Sequence, residues 1–301
     1  MLHKFQQGPT WMTNNKRLSI LTVILAAILW GSTGTIQALI PDYKEPLVIG
    51  AVRLYLAAFY LLLISIVFDK DLFSSVFQSP ALIVCSGLFM MLYNMSFFAA
   101  VLISGVGVGT AITIGSAPVW ALLFEFFILK SKHRLNKLFG ATLAVIGISF
   151  LMLFGDDTKW SSLGVSLALV AGLSYALYSL CTSRIVKKIS HHNTAAWTFL
   201  IAAFFSTPVF IFYPSSWIIS NEAIYHLIFL GIFATGLAYS FFTFGLKYLN
   251  SSTAVTLSLA EPVTAVFLAI IILGEFFSIA QHLAILVIMI GLFFTSRSEA
   301  D

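Results

Sequence analysis

Ser96-Phe97-Phe98, Leu102, Pro118-Val119 and Gly147 return 144 residues later as Ser240-Phe241-Phe242, Leu246, Pro262-Val263 and Gly291. Each copy sits in a half that contains five hydrophobic segments. Five is odd, so if every segment crosses a membrane, the second half enters from the opposite side to the first. The spacing therefore predicts an all-α integral membrane protein of ten transmembrane helices, arranged as two five-helix inverted repeats. That architecture lets two similar halves exchange conformations and open one central site to each side in turn.

Working outward from the repeat, charged residues make up 9% of the chain against about 25% in a typical soluble protein, while 59% is hydrophobic and the mean hydropathy is +0.99. Runs long enough to cross about 30 Å of hydrocarbon fall near 18–40, 47–68, 81–103, 106–129, 136–154, 162–182, 193–213, 223–245, 252–273 and 278–295. The first run follows Lys16-Arg17 as a signal peptide would. It is too long for a signal core and belongs to the repeat unit, so it reads as an uncleaved span. The organisation expected is a cytoplasmic N-terminal segment 1–17, a first repeat 18–154, a polar outer loop near 155–161, a second repeat 162–295 and a cytoplasmic tail 296–301. The loops are too short to hold a soluble catalytic or nucleic-acid-binding domain.

The net charge of +4 is explained by where the cations fall. With a cytoplasmic N-terminus, Lys4, Lys16, Arg17, Lys70, Lys130, Lys132, Arg134, Lys137, Arg184, Lys187, Lys188, Lys247 and Arg297 lie inside. Lys44 and Lys159 lie outside and Arg53 lies within a span. This obeys the positive-inside rule and predicts both termini in the cytoplasm, with the plasma (inner) membrane as the location. The basic loop from Lys130 to Lys137 is read as topogenic, with binding of anionic lipid headgroups or a partner as the alternative. Cys85 and Cys181 both fall in spans and read as small buried packing residues. His191-His192 reads as part of a solvated loop, since two adjacent histidines without further ligands make a poor metal site.

In the first span stands Leu29-Trp30-Gly31-Ser32-Thr33, and Arg53 opens the second. Ala260-Glu261-Pro262-Val263 runs on to Leu273-Gly274-Glu275, followed by Gly291 in the last helix. In these residues the chain resembles the EamA-type transporters of the drug/metabolite transporter superfamily. The resemblance covers about residues 18–295 and implies ten helices in two five-helix inverted repeats. It also implies export of amino acids or other metabolites. The first half departs from the pattern, because Ser131 matches Glu275 and Ala117 matches Glu261.

Pro118 and Pro262 lie mid-span, where each removes a backbone donor and leaves the carbonyls of Ile114 and Ser258 to find another partner. They read as paired kinks, with direct ligand contact as the alternative. Glu261 sits about 13 Å into its span at 1.5 Å per residue, where an unpaired carboxylate is costly. It is the candidate for coupling proton or cation movement, or else a hydrogen-bonded tie between helices. Arg53 could meet an anionic group of a substrate, pair with Glu261 or Glu275, or anchor at the interface. Glu125 reads as snorkelling toward Lys130 and Lys132.

Trp30, Tyr93, Trp120, Tyr175, Tyr178 and Tyr239 carry polar tips within spans and need partners if buried. Tyr175 and Tyr178 share a helix face, as do Trp30 and Gln37. With Asn94, these make Trp30, Gln37, Tyr93, Asn94, Tyr175, Tyr178 and Tyr239 the candidate lining of a solute cavity, and Arg53, Glu261, Pro118 and Pro262 the candidate coupling or gating residues. Gly31, Gly34, Gly105, Gly107 and Gly109 read as points of close helix approach.

No phosphate-cradling Gly-x-x-x-x-Gly-Lys-[Ser/Thr] loop is present, so the energy is expected from gradients or the solute itself. The function expected is a secondary transporter that exports small amphipathic metabolites such as amino acids by alternating access. It would need no cofactor or metal, and its partners would be a small-molecule substrate and the bilayer, with no nucleic acid and a homodimer left open. A translocase of lipid-linked headgroups is the alternative. A membrane-embedded lipid-modifying enzyme fits less well, since surface carboxylates and histidines are not clustered, and the chain is read as no enzyme.

Overall fold

The computed structural model describes residues 8–40, 45–69, 71–130, 135–153, 161–274 and 278–300. Lys4, Lys44, Lys70, Ser131, Lys132, Arg134, Lys159, Glu275 and the dividing segment 154–160 lie outside them. Among the described residues every regular element is helical. In chain order the long helices are α1 (Gly8–Ala38), α2 (Pro46–Phe68), α3 (Pro80–Gly105), α4 (Val108–Ile128), α5 (Leu135–Leu153), α6 (Ser162–Ile185), α7 (His191–Phe212), α8 (Asn221–Gly245), α9 (Ser251–Ile272) and α10 (Ile279–Ala300), with short turns of helix at Leu72–Ser75, Val76–Gln78 and Ser216–Ile219.

Local chemistry explains the boundaries. Pro46 and Pro80 open α2 and α3 in the first turn, where a missing N–H costs nothing. Ser190 caps α7 by accepting the Asn193 N–H at 3.1 Å. Gly105, at φ 82° and ψ 163°, breaks the chain between α3 and α4 in a conformation that side-chain-bearing residues avoid. Two helices are irregular where they approach the centre: α8 is π-helical over Phe229–Leu237, and α9 is interrupted between Ser251–Leu257 and Ala260–Leu268.

Eight of the helices, α1–α4 and α6–α9, are long and apolar enough to cross a membrane. α5 (Leu135–Leu153) and α10 (Ile279–Ala300) include the apolar stretches Leu135–Phe150 and Ile279–Thr295. They pack on one another through glycines. A Cβ on Gly147 would stand 2.8 Å from Ile288 N, and one on Gly291 would stand 2.6 Å from Ala144 N.

The remaining helices pair as α1 with α8 and α9, α6 with α3 and α4, α2 with α7 and α8, and α3 with α7. Large apolar side chains such as Phe59, Phe127, Ile211, Phe212 and Ile271 are exposed on the outside of the bundle, the surface expected to meet acyl chains. Two expectations fail here. Cys85 is exposed rather than buried, although it lies near enough to Cys181 of α6 to interact with it electrostatically. Gly34 has no atom within 4 Å of a Cβ position, so it mediates no close approach, whereas Gly31 does.

Candidate functional site

α1, α3, α6 and α8 bring their polar-tipped aromatics to one place. The Trp30 ring lies 4.7 Å from Tyr239 and 6.3 Å from Tyr175. Tyr175 lies 5.1 Å from Tyr93 and 6.1 Å from Tyr178, and Tyr178 lies 5.9 Å from Tyr239. These are separations at which aromatic pairs attract beyond their buried area. Trp30, Tyr175, Tyr178 and Tyr239 are all buried.

Not every polar tip in this cluster is satisfied. Trp30 Nε1 is buried without a hydrogen-bond partner, and Tyr175 OH faces Ser258 without meeting hydrogen-bond geometry. A buried donor without an acceptor costs about 1–3 kcal/mol, so these tips favour an incoming acceptor.

Arg53 and Glu261 flank this cluster. Arg53 is buried; its Nε donates to Thr235 Oγ1 at 2.9 Å, and the guanidinium lies 5.9 Å from the Phe98 ring centre. The interface-anchor reading therefore does not hold, since the side chain turns inward onto α8. Thr235 Oγ1 in turn donates to Leu230 O, five residues back, at 2.7 Å, the offset of the π-helical stretch that presents it. Glu261 interacts electrostatically with Arg53, Tyr93 and Tyr175.

The Glu261 backbone is held against α1. A Cβ on Gly31 would stand 2.7 Å from Glu261 O and 2.6 Å from Thr264 Cβ. The Trp30-Gly31 and Glu261-Pro262 stretches, 230 residues apart, thus meet in space. The carbonyl of Ser258, expected to be orphaned by Pro262, accepts the Glu261 N–H at 2.9 Å. Leu259 N similarly bonds Thr256 O at 3.0 Å, so the chain answers the proline by tightening to three-residue bonds and breaking α9 there.

Other candidates lie apart. Asn94 follows Tyr93 but packs at Gly50 of α2, its Oδ1 buried without a partner. Gln37 is half-buried two turns beyond Trp30 on α1. Pro118 lies inside helical α4 and lines a groove of about 410 Å³ between α4 and α5, together with Leu122, Phe126, Leu138 and Val145. Trp120 stacks on Phe124 at 6.5 Å, with its Nε1 buried and unpartnered.

Three residues at the site were missed in the sequence. Phe242 lies 5.4 Å from Trp30 and 5.8 Å from Tyr175, and Phe199 lies 4.8 Å from Tyr239. Phe98 lies under Arg53. The internal repeat carried a signal for two of them, since Phe98 and Phe242 are repeat mates.

At the end of the bundle with the basic loops, two more expectations change. His191 and His192 begin α7 instead of lying in a loop, and His192 Nδ1 lies 3.1 Å from Asp69 Oδ2. Ser190 Oγ donates to the same carboxylate oxygen at 2.6 Å. Glu125 does not snorkel: it is buried and bonds Ser252 and Lys137. No group of metal-binding side chains occurs among the described residues.

Comparison with known proteins agrees with this arrangement. The model of the EamA-like transporter family matches residues 17–153 and again 162–297. The chain is 36% identical to the uncharacterized transporter YwfM of Bacillus subtilis, covering 92% of this chain and 93% of that one. It is 30% identical to the threonine/homoserine exporter RhtA of Escherichia coli K12, covering 97% and 95%. A solved crystal structure superposes with a TM-score of 0.79 at 18% identity, over 92% of this chain and 95% of the other, which is a likeness of fold.

Proposed function

Because the chain belongs to the EamA-like transporter family, we propose that it is a secondary transporter that exports small amphipathic metabolites, amino acids foremost, across the plasma membrane by alternating access. The observation that carries this reading is the cluster of buried Trp30, Tyr175, Tyr178 and Tyr239 with half-buried Tyr93, flanked by one cation, Arg53, and one acid, Glu261. Rings stack on the apolar part of a solute, and the two charges and the unpartnered tips orient its polar groups. Glu261 is the residue assigned to coupling, and Pro262 loosens the helix beside it.

The working unit in this reading is ten spans in two inverted repeats, 18–154 and 162–295, with both termini cytoplasmic. Helix packing supports it. Advancing each helix by five places maps the α1 contacts with α8 and α9 onto those of α6 with α3 and α4, and leaves α2–α7 and α5–α10 unchanged. The repeat-related Gly147 and Gly291 meet at the α5–α10 contact, as a two-fold axis through it requires. The charge split supports the orientation.

Counterflow of labelled threonine and homoserine in proteoliposomes tests the substrate class, since RhtA exports these two. Trp30→Ala and Tyr239→Ala are expected to weaken it several-fold, in line with about 0.5–1.5 kcal/mol per aromatic pair. No counterflow of any amino acid by well-folded protein, with lipid-linked headgroups translocated in the same vesicles, would replace this reading by the translocase. Among the described residues, the groove between α4 and α5 is lined by Pro118, Leu122, Phe126, Leu138 and Val145 and by no charged side chain.

A further inference from the structure

Glu125 is a buried carboxylate, 1% exposed, that joins two halves of the chain. Its Oε1 accepts the Ser252 N–H at 2.6 Å, and its Oε2 accepts from Ser252 Oγ at 2.6 Å and from Lys137 Nζ at 3.3 Å. Glu125 and Lys137 belong to α4 and α5. Ser252 is the second residue of α9, whose cap residue, Asn250, makes no side-chain cap bond. The carboxylate thus supplies from another helix the acceptor that the start of α9 needs, and its charge suits the positive end of that helix.

Ser251 Oγ adds a second tie, donating to Ser179 Oγ of α6 at 2.8 Å, and two features bear on how these contacts separate. Lys137 is itself buried and lies on the same side as Glu125, so the acid keeps a cation when α9 leaves; it never becomes the lone buried charge that would forbid the motion. The interruption of α9 at Ser258–Leu259 lies between Ser252 and Glu261. The segment Ser251–Leu257 thus lies on one side of that break, and Glu261, packed on Gly31, on the other.

Resting on the transporter reading above, we propose that Glu125 is a positioning residue that latches the first segment of α9 at the end of the bundle bearing the basic loops. The structure is then the state closed at that end. Opening there breaks the Glu125–Ser252 bonds and the Ser251–Ser179 bond, lets water satisfy the freed groups, and leaves Glu125–Lys137 intact. Solute reaches or leaves the aromatic cluster between α9 and α4 once the latch is released.

The test reads accessibility, which needs no known solute. Ala121 lies one turn before Glu125 on α4, is 1% exposed, and shares a core with Val255 of α9. Ala121→Cys, in protein lacking Cys85 and Cys181, is treated in nanodiscs with a charged methanethiosulfonate, which reaches both faces. Ala234→Cys, fully buried on α8 away from the latch, is the control.

Glu125→Gln exchanges charge-assisted bonds for neutral ones and is expected to speed Ala121→Cys labelling about tenfold, the equivalent of about 1.4 kcal/mol. Ser252→Ala removes only the hydroxyl bond, keeps the charge pair, and is expected to speed it several-fold even where Glu125→Gln accumulates poorly. Ala234→Cys should not change. Unchanged Ala121→Cys labelling in Ser252→Ala protein, or equal acceleration at Ala234→Cys, overturns the latch. Such a result leaves transport standing, whereas faster labelling without counterflow of any solute would keep the latch and count against the transport reading.

Discussion

Gly31 and Gly34, three residues apart on α1, invite the same substitution with opposite results. At Gly31 an added methyl would stand 2.6 Å from Thr264 Cβ and 2.7 Å from the backbone oxygen of Glu261. Ordinary contact begins nearly an ångström further out. Neither obstacle can rotate away, because one is backbone and the other is the branch point of a β-branched side chain. α1 and α9 must therefore separate, at an overpacking cost of about 3 kcal/mol, the upper part of the usual range. The better helix propensity of alanine returns about 1 kcal/mol. The net loss for Gly31→Ala is about 2 kcal/mol, roughly thirtyfold in the folding equilibrium. Gly34, open on all sides, should gain about 1 kcal/mol on the same change.

Thermal unfolding in detergent, followed by the fraction still monodisperse on size exclusion, measures both variants. Solute exchange at a temperature where both remain folded measures the site. Gly31→Ala should melt lower than the parent, and since it displaces the Glu261 backbone, exchange should fall by more than the loss of folded protein accounts for. Gly34→Ala should melt at or above the parent and exchange normally. Equal melting of the two variants would refute the close approach of α1 to α9, and with it the contact between the Trp30-Gly31 and Glu261-Pro262 stretches.

Glu261→Gln keeps the shape of the acid and removes its charge; it is expected to abolish gradient-driven accumulation in vesicles while leaving solute exchange, and unchanged accumulation would reduce Glu261 to a tie between helices. Orientation is read by single cysteines in protein lacking Cys85 and Cys181. Thr158→Cys should label from outside in intact cells and Lys187→Cys only after permeabilisation, and the reverse pattern would invert the topology.

The reach of the sequence differs by kind of property. Helix positions were legible because they depend on a local quantity, runs of apolar residues between charged loops, whereas Gly105, read as a point of close approach, proved to be the break between α3 and α4. The expected spans accordingly lie within a few residues of the observed helices. The gathering of Trp30, Tyr93, Tyr175, Tyr178 and Tyr239 was also legible in part, because polar-tipped rings within apolar helices must turn inward to find partners. What the sequence could not carry is which helix stands opposite which.

Glu125 illustrates this. Nothing near it in the chain other than nearby lysines offers a partner, so snorkelling looked sufficient. Ser252, which binds it, lies 127 residues away and reaches it only because α9 packs on α4. Arg53 turns inward for a similar reason, since Thr235 is 182 residues distant and is presented by a π-helical stretch of α8. Gly31 and Gly34 look alike along α1, yet only one faces α9. Local preferences decide where a helix begins and ends; the partner of a buried charge, and the value of a missing side chain, are set by the surface brought against it.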